Sequence, residues 1–370
     1  MLTAQPDRRL RARRSGAGIF ACMLAGAMVA ACGTSSSPSP GSSPPAGGTL
    51  IPTSSRSSPT SGPTTPTPSA TAGTWSAADS IDPGLDVVAV SCPSATDCVA
   101  VDSTAGGSAN PGNALTYDGS SWSAPQAIDS PNSLVSVSCP TAGFCAAVDD
   151  AGNALTYSGG AWTPFMGVDS SAQFEAVSCA SASFCAAVDN SGNTYTFNGS
   201  AWSAAVQVDS TQGILTAVSC PTASFCVAVG GTGAFVFNGA SWSPPSTLGA
   251  GEDTGTGPPD GVSCTSPSFC VAVGTDGGVY TYHGGSWATS TTVDVLDGVS
   301  GGGLAAVSCT SSSFCMAVDQ DDNRSVTFNG TTWSAPTLLS NGYGLAAVSC
   351  ASSSFCVAVD DNADAFTWHS

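Results

Sequence analysis

Short apolar runs alternate with polar punctuation from residue 75 to the end of the chain, and the same pattern comes round seven times. One unit reads Leu-x-x-Val-Ser-Cys, five residues, then Cys-Val-Ala-Val-Asp or a near variant. An aromatic-ended run such as Ala-Leu-Thr-Tyr follows, then Trp-Ser-Ala-Pro-x-x-Ile-Asp. Runs of β-branched, alanine and aromatic residues bounded by Gly, Asn, Asp and Ser are strand and hairpin signals. Each unit therefore predicts four short strands. The first cysteines recur every 40 to 47 residues. A period in that range with strand content predicts an all-β, closed radial array of four-stranded blades.

Two series of strands run out of phase. The Trp strand occurs at Trp75, Trp122, Trp162, Trp202, Trp242, Trp287 and Trp333, and the first of these precedes every cysteine pair. The array ends at Trp368, which holds the third-strand position of Tyr117, with no fourth strand after it. A seven-bladed β-propeller closed by its N-terminal strand accounts for both ends and predicts that the chain near Trp75 pairs with that near Phe366. An open solenoid gains nothing from such complementary ends, whereas a ring removes the exposed sheet edge.

The repeats contain seven cysteine pairs: Cys92 with Cys98, Cys139 with Cys145, Cys179 with Cys185, Cys220 with Cys226, Cys264 with Cys270, Cys309 with Cys315 and Cys350 with Cys356. Each pair brackets a five-residue loop. Even, regular cysteines in an exported chain predict a disulfide framework. The spacing is not a zinc pattern, and the chain has only two histidines, His283 and His369.

The region ahead of the repeats sets the compartment. Residues 1–31 read as a signal peptide, with Arg8, Arg9, Arg11, Arg13 and Arg14 ahead of an apolar run from Gly16 to Ala31. That run is too short and alanine-rich for a membrane span. Val29-Ala30-Ala31-Cys32 resembles the lipobox of bacterial lipoproteins. The resemblance implies that Cys32 becomes the lipidated first residue, anchored on the extracytoplasmic face of the cell membrane. The paired arginines leave Sec and twin-arginine export both open. Residues 32–73 are rich in Ser, Thr, Pro and Gly and lack the apolar surface needed to fold, which predicts a disordered tether. As a coil it spans about 35 Å, and as polyproline about 120 Å. The propeller is expected over 74–370.

Charge narrows the partners. The chain has 26 acids and no lysine, and beyond residue 32 its cations are Arg56 and Arg324. Nucleic-acid binding relies on Lys and Arg at phosphates, so it is not expected. No phosphate loop or dinucleotide fingerprint occurs, and neither histidine has a plausible nucleophile context.

The Gly-x-x-Trp turn, as in Gly119/Trp122, Gly159/Trp162, Gly199/Trp202, Gly239/Trp242, Gly284/Trp287 and Gly330/Trp333, distantly resembles the Asp-box of sialidase-like propellers. The Asp of that motif lies two residues before the glycine, where this chain has aromatics such as Tyr117 and Phe197. The resemblance implies a propeller fold. Sialidase chemistry needs three arginines and a tyrosine–glutamate pair, and the repeat region has Arg324 alone with Glu175 and Glu252.

The aspartates follow an order. One group closes the second strand (Asp102, Asp149, Asp189, Asp319, Asp360) and another the fourth (Asp82, Asp129, Asp169, Asp209, Asp294). In an up-down blade both strands end on the same rim. Such residues bind hard cations or shape tight turns. The same rim receives the longer loops at 102–113, 250–261, 294–303 and 319–324. Glu252, Asp253, Asp260, Asp276, Asp294 and Asp297 form the candidate ligand site there, with Ca²⁺ as a possible occupant and no cofactor required. The expected function is a membrane-anchored binding or scaffold module for a wall glycan, an extracytoplasmic protein or a cation. The alternative is a carbohydrate-active enzyme, a glycoside hydrolase or lyase using rim carboxylates.

Overall fold

The computed structural model describes residues 73–103, 111–164, 166–211, 213–231, 233–248, 259–275, 277–288, 291–293, 295–296, 299–300, 303–339 and 344–370. They form a seven-bladed β-propeller. Blade 3 shows the unit: Phe174–Ser181 pairs antiparallel with Phe184–Asp189, that strand with Asn193–Phe197, and that with Val206–Gln207. The other blades begin at Asp86–Ser94, Leu134–Thr141, Leu215–Thr222, Pro259–Ser266, Leu304–Ser311 and Leu345–Ser352. These first strands pack against one another in succession, and that of blade 7 packs on that of blade 1.

Closure follows the expected register. Thr74 pairs with His369 and Trp75 with Trp368, and Asp79 and Ser80 then pair with Ala365 and Asp364. The Trp75 ring meets Trp368 at 5.6 Å, as Trp122 meets Tyr117 at 5.4 Å and Trp202 meets Phe197 at 5.4 Å. The N-terminal strand thus occupies the slot that each blade's own fourth strand fills elsewhere.

The core is seven layers between blades rather than one centre. Residue size follows the wedge between neighbouring blades. Near the axis the gap is narrow, and the second strands carry small residues such as Ala146-Ala147-Val148 and Ala186-Ala187-Val188, all fully buried. Farther out the blades diverge and aromatics fill the space. Phe144 stacks on Phe197 of the next blade, Phe184 on Phe237, Phe269 on Phe328, and Phe355 of blade 7 on Tyr117 of blade 1.

The first strand pairs on one edge only, so its other edge carries free N–H groups toward the axis. The Ser of each Val-Ser-Cys answers this. Cys139 N–H donates to Ser91 Oγ of the preceding blade, and the pattern repeats for Cys179/Ser138, Cys220/Ser178, Cys264/Ser219, Cys309/Ser263 and Cys350/Ser308. Cys92 to Ser349 completes the ring, and every one of these bonds is 2.9 Å. An unmade hydrogen bond at a buried donor costs about 1–3 kcal/mol. The repeat therefore places a serine at the position that seals the next blade's edge.

All seven cysteine pairs form disulfides within their own blades. Cys92 bonds to Cys98 in blade 1, Cys139 to Cys145 in blade 2, and Cys179 to Cys185 in blade 3. Cys220 bonds to Cys226 in blade 4, Cys264 to Cys270 in blade 5, Cys309 to Cys315 in blade 6, and Cys350 to Cys356 in blade 7. Cα–Cα separations are 3.9 to 4.1 Å. The second cysteine of each pair, Cys98, Cys145, Cys185, Cys226, Cys270, Cys315 or Cys356, sits on the inner second strand and is fully buried or nearly so. Its partner stands opposite it on the first strand, as Cys179 does to Cys185 and Cys264 to Cys270. Each bond therefore pins the first hairpin of its blade. Replacing both Cys179 and Cys185 with serine is expected to lower unfolding stability by about 2 kcal/mol, because the loop it closes is short. Denaturant titration checks this.

The Trp strand departs from the single strand expected. It breaks after the tryptophan into a bridge and a later two-residue pairing, as at Trp202 and Val206–Gln207. Proline at 125, 164, 244 and 336 cannot donate to a ladder. In most blades a hydroxyl residue after the Trp repairs the gap: Ser123, Ser203, Ser243 and Ser334 accept at Oγ from the N–H of Thr116, Thr196, Val236 and Thr327, each at 3.0 Å, whereas Ala288 follows Trp287. Ser76 does the same for Thr367 of blade 7. In the stretch between blades 5 and 6, Val295–Leu296 pairs with Val299–Ser300 as a small separate hairpin.

Candidate binding rim

Among the described residues, the aspartates that close the second and fourth strands lie on one rim, and most are buried. Asp102, Asp149, Asp319 and Asp360 are fully buried, and Asp189 and Asp129 nearly so. Their surroundings explain why. Asp149 Oδ1 accepts the N–H groups of Ala151 (3.0 Å) and Asn153 (2.7 Å), and Oδ2 accepts Asn153 Nδ2 (2.6 Å). Asp189 repeats this with Ser191 and Asn193. Asp360 takes the N–H groups of Asn362 and Asp364. Asp102 spans the longer loop of blade 1 to hold Asn113 N–H and Nδ2, both at 2.6 Å. These carboxylates organise the turns from second to third strand.

Their second role lies between blades. Asp82 of the N-terminal segment neighbours Asp102 of blade 1, and Asp129 of blade 1 neighbours Asp149 of blade 2. Between blades 2 and 3 a tyrosine intervenes: the Tyr195 hydroxyl lies 3.0 Å from Asp189 Oδ2 and 3.3 Å from Asp169 Oδ2. In blade 6 Arg324, itself buried, pairs with Asp319 at 3.5 Å and with Asp322. Burial, then the neighbouring carboxyl, raises Asp102 and Asp129 to about 7. Burial raises Asp360 to about 6. Burial and the flanking carboxylates raise the Tyr195 phenol far above its ordinary range, so it stays protonated and donates.

The raised acids predict a pH dependence. The folded protein holds protons that the unfolded chain releases above about 4, so stability falls as pH rises from there through 6 and 7. The melting temperature is expected to be higher at pH 5 than at pH 8. Equal melting at both would show that the buried carboxyls are not protonated near neutrality.

Of the six acids expected to form a ligand site, Glu252, Asp253, Asp276, Asp294 and Asp297 lie outside the described residues, as does the lipidation candidate Cys32. Asp260 is half-buried on the first strand of blade 5. Among the described residues no group of three or more His, Cys, Asp or Glu side chains is placed to hold a metal ion.

The opposite rim carries the disulfide hairpins and the Gly-x-x-Trp turns, which pack on each other. Gly199 and Gly239 stand at φ near +90°, and a Cβ there would lie 3.2 Å from Ser183 and Ser224 of their own blade's hairpin. The residue just before these glycines caps the turn: Asn198 Oδ1 accepts from Ser200 and Ala201 N–H, and Asp118 does likewise. These bonds hold Asp118 below its ordinary range, with the Ser120 hydroxyl the largest contributor. A cavity of about 940 Å³ runs from this rim down the flank between blades 5 and 6, lined by Phe269, His283, Phe328 and Trp333 among others. Sequence reasoning placed no site there.

No family model matches the chain, and no curated protein matches it. Its fold does match solved structures. The structure of YCF48 bound to D1 peptide aligns with a TM-score of 0.61 at 12% identity, over 80% of this chain and 95% of that one. YCF48 from Cyanidioschyzon merolae gives 0.59 at 15% identity, over 80% and 98%. A chain in the mitotic checkpoint complex gives 0.59 at 12%, over 86% and 99%. At these identities the likeness establishes the propeller fold.

Proposed function

We propose that this chain is a lipid-anchored extracytoplasmic propeller that serves as a binding scaffold for a peptide or protein. The observation that carries the reading is how the frame is fixed. Disulfide hairpins brace one rim and buried aspartate turns the other, while loop length varies between blades only on the aspartate rim. A rigid frame with variable loops on one face is the usual layout of a recognition surface. The fold neighbours support it, since one is seen with a peptide and another within a protein assembly. The lipobox-like Val29-Ala30-Ala31-Cys32 and the Ser/Thr/Pro/Gly-rich stretch over 32–73 support display at a distance from the membrane.

Photo-crosslinking residues placed at exposed Ser170, Asp322 and Asn362 on the aspartate rim are expected to capture one polypeptide partner. The same residues at Ser183 and Ser268 on the disulfide rim are expected to capture none. Capture from the disulfide rim alone, or binding to a wall glycan in place of polypeptide, would overturn the reading. Cys32→Ala is expected to move the protein from the membrane fraction to the soluble fraction. Retention in the membrane would contradict the anchor.

A further inference from the structure

Blade 5 departs from the repeat at two positions, and both line the cavity on its flank with blade 6. In the other blades a hydroxyl follows the Trp and accepts the N–H of the third strand, as Ser334 accepts from Thr327 and Thr163 from Thr156. Blade 5 has Ala288 there, so the N–H of Thr281 has no such acceptor. Asn198, Asn238 and Asn329 cap the Gly-x-x-Trp turns of blades 3, 4 and 6, whereas blade 5 has His283 at that position. Its exposed imidazole packs against Phe269 at 5.8 Å. Thr281, His283 and Ala288 all line the same cavity.

The cavity measures about 940 Å³. Small-molecule sites commonly enclose about 300–1,000 Å³. Its floor is a run of rings: His283 meets Phe269, Phe269 stacks on Phe328 at 6.5 Å, and Phe328 meets the half-buried Trp333 at 5.3 Å. Eight of the described lining residues carry hydroxyls, among them Thr291, Thr331 and Ser334. None of the described lining residues is Asp, Glu, Lys or Arg, although the chain carries a net charge of −19. A cation therefore finds no carboxylate there, and an anion no strong base. An aliphatic ligand would cover the hydroxyls without hydrogen-bonding them, which costs free energy. A neutral sugar meets both demands of the lining. The C–H face of its ring, slightly positive, lies on the negative face of an aromatic side chain. Its hydroxyl edge exchanges hydrogen bonds with Ser and Thr.

We propose that this cleft binds an uncharged oligosaccharide, with Trp333 as the stacking platform and the Thr281 N–H and the His283 imidazole as polar contacts. The site goes beyond the polypeptide reading and is separate from it in space. The cleft runs down the flank from the disulfide rim, whereas the variable loops lie on the aspartate rim. A propeller held to a neutral surface glycan by this flank keeps its aspartate rim free for a polypeptide.

Tryptophan fluorescence and titration calorimetry of the full chain test this. The probes are short oligomers of β-linked N-acetylglucosamine, β-linked glucose and α-linked mannose, with polygalacturonate as a polyanionic control. At least one neutral oligomer is expected to bind saturably in the millimolar range or tighter, and the polyanion is not. Trp333→Ala is expected to weaken binding about tenfold or more, through loss of the stacking face. Ala288→Ser restores the hydroxyl found in the other blades and engages the Thr281 N–H. It is expected to fold normally and to weaken binding about threefold to tenfold, the contribution of one hydrogen bond. If Trp333→Ala does not fold, Thr331→Trp at an exposed lining position fills the cleft and is expected to abolish binding. Failure of every neutral oligomer to bind, or unchanged affinity in Ala288→Ser or Thr331→Trp, would overturn the site. Displacement of a bound oligomer by a peptide would overturn it in favour of polypeptide. Capture of a polypeptide by the aspartate-rim crosslinkers is expected to be unchanged in Ala288→Ser, so the two readings fail separately.

Discussion

A chain lacking residues 73–82 is expected to lose its cooperative folded state. Those residues supply the outer strand of blade 7, and without them the strand Asp364–His369 faces solvent along its whole outer edge. The Trp75 ring leaves Trp368, and its Nε1 no longer donates to Ser325 Oγ of blade 6. Ile81 leaves the layer shared by blades 7 and 1, so the deletion damages two junctions at once. Trp75→Ala alone removes about 3 kcal/mol, a typical cost for a large aromatic that is partly buried. The whole segment exceeds that and approaches the total stability of a domain, commonly about 5–15 kcal/mol. Circular dichroism melts and size-exclusion chromatography read the effect. Broad or absent unfolding with association through the bare edge is the expected result. A truncated chain that melts like the parent would mean that the segment does not close the ring.

Asp189→Ala is expected to destabilise the protein by about 3 kcal/mol or more. The side chain is almost fully buried and accepts from Ser191 N–H, Asn193 N–H, Asn193 Nδ2 and the Tyr195 hydroxyl. Truncation leaves the partly buried Ser191 and Asn193 donors without this acceptor and the Tyr195 hydroxyl with Asp169 alone, at about 1–3 kcal/mol for each group that water cannot reach. Asp189→Asn keeps one carbonyl acceptor and is expected to cost less. Blades 4 and 5 have Gly230 and Gly274 at this position and make the turn without a carboxylate, so their turns supply the comparison. Chemical denaturation of both variants checks the ordering. A loss below about 0.5 kcal/mol, as at an ordinary surface site, would show that the turn does not depend on the carboxylate.

The ring was legible because its evidence is repetition. The Trp75 strand and the unpaired third strand at Trp368 are complementary in sequence, and the structure joins them. The cysteine pairs were legible because each brackets one hairpin. The aspartate rim was legible in position but not in character. An aspartate that folds a turn and one that awaits a ligand look alike until the donors around them are seen. A clue to the paired junctions was present: Asp82 and Asp102, Asp129 and Asp149, and Asp169 and Asp189 are each twenty residues apart. The role of the Val-Ser-Cys serine was hidden, because its partner is the N–H of a different blade. The role of the hydroxyl residue after most of the tryptophans, such as Ser203, was hidden by the assumption of one unbroken fourth strand. The cavity between blades 5 and 6 depends on how two blades splay, which no local pattern encodes.

The most direct test of the account joins the two ends of the propeller. Thr74 and His369 are both exposed and stand opposite each other in the closing pair. Cysteines at these two positions, treated with a short bis-maleimide and mapped by mass spectrometry, are expected to give one intramolecular crosslink in high yield. The seven native disulfides should stay intact. Crosslinks only between separate molecules, or none in protein that remains folded, would contradict a ring closed by its N-terminal strand.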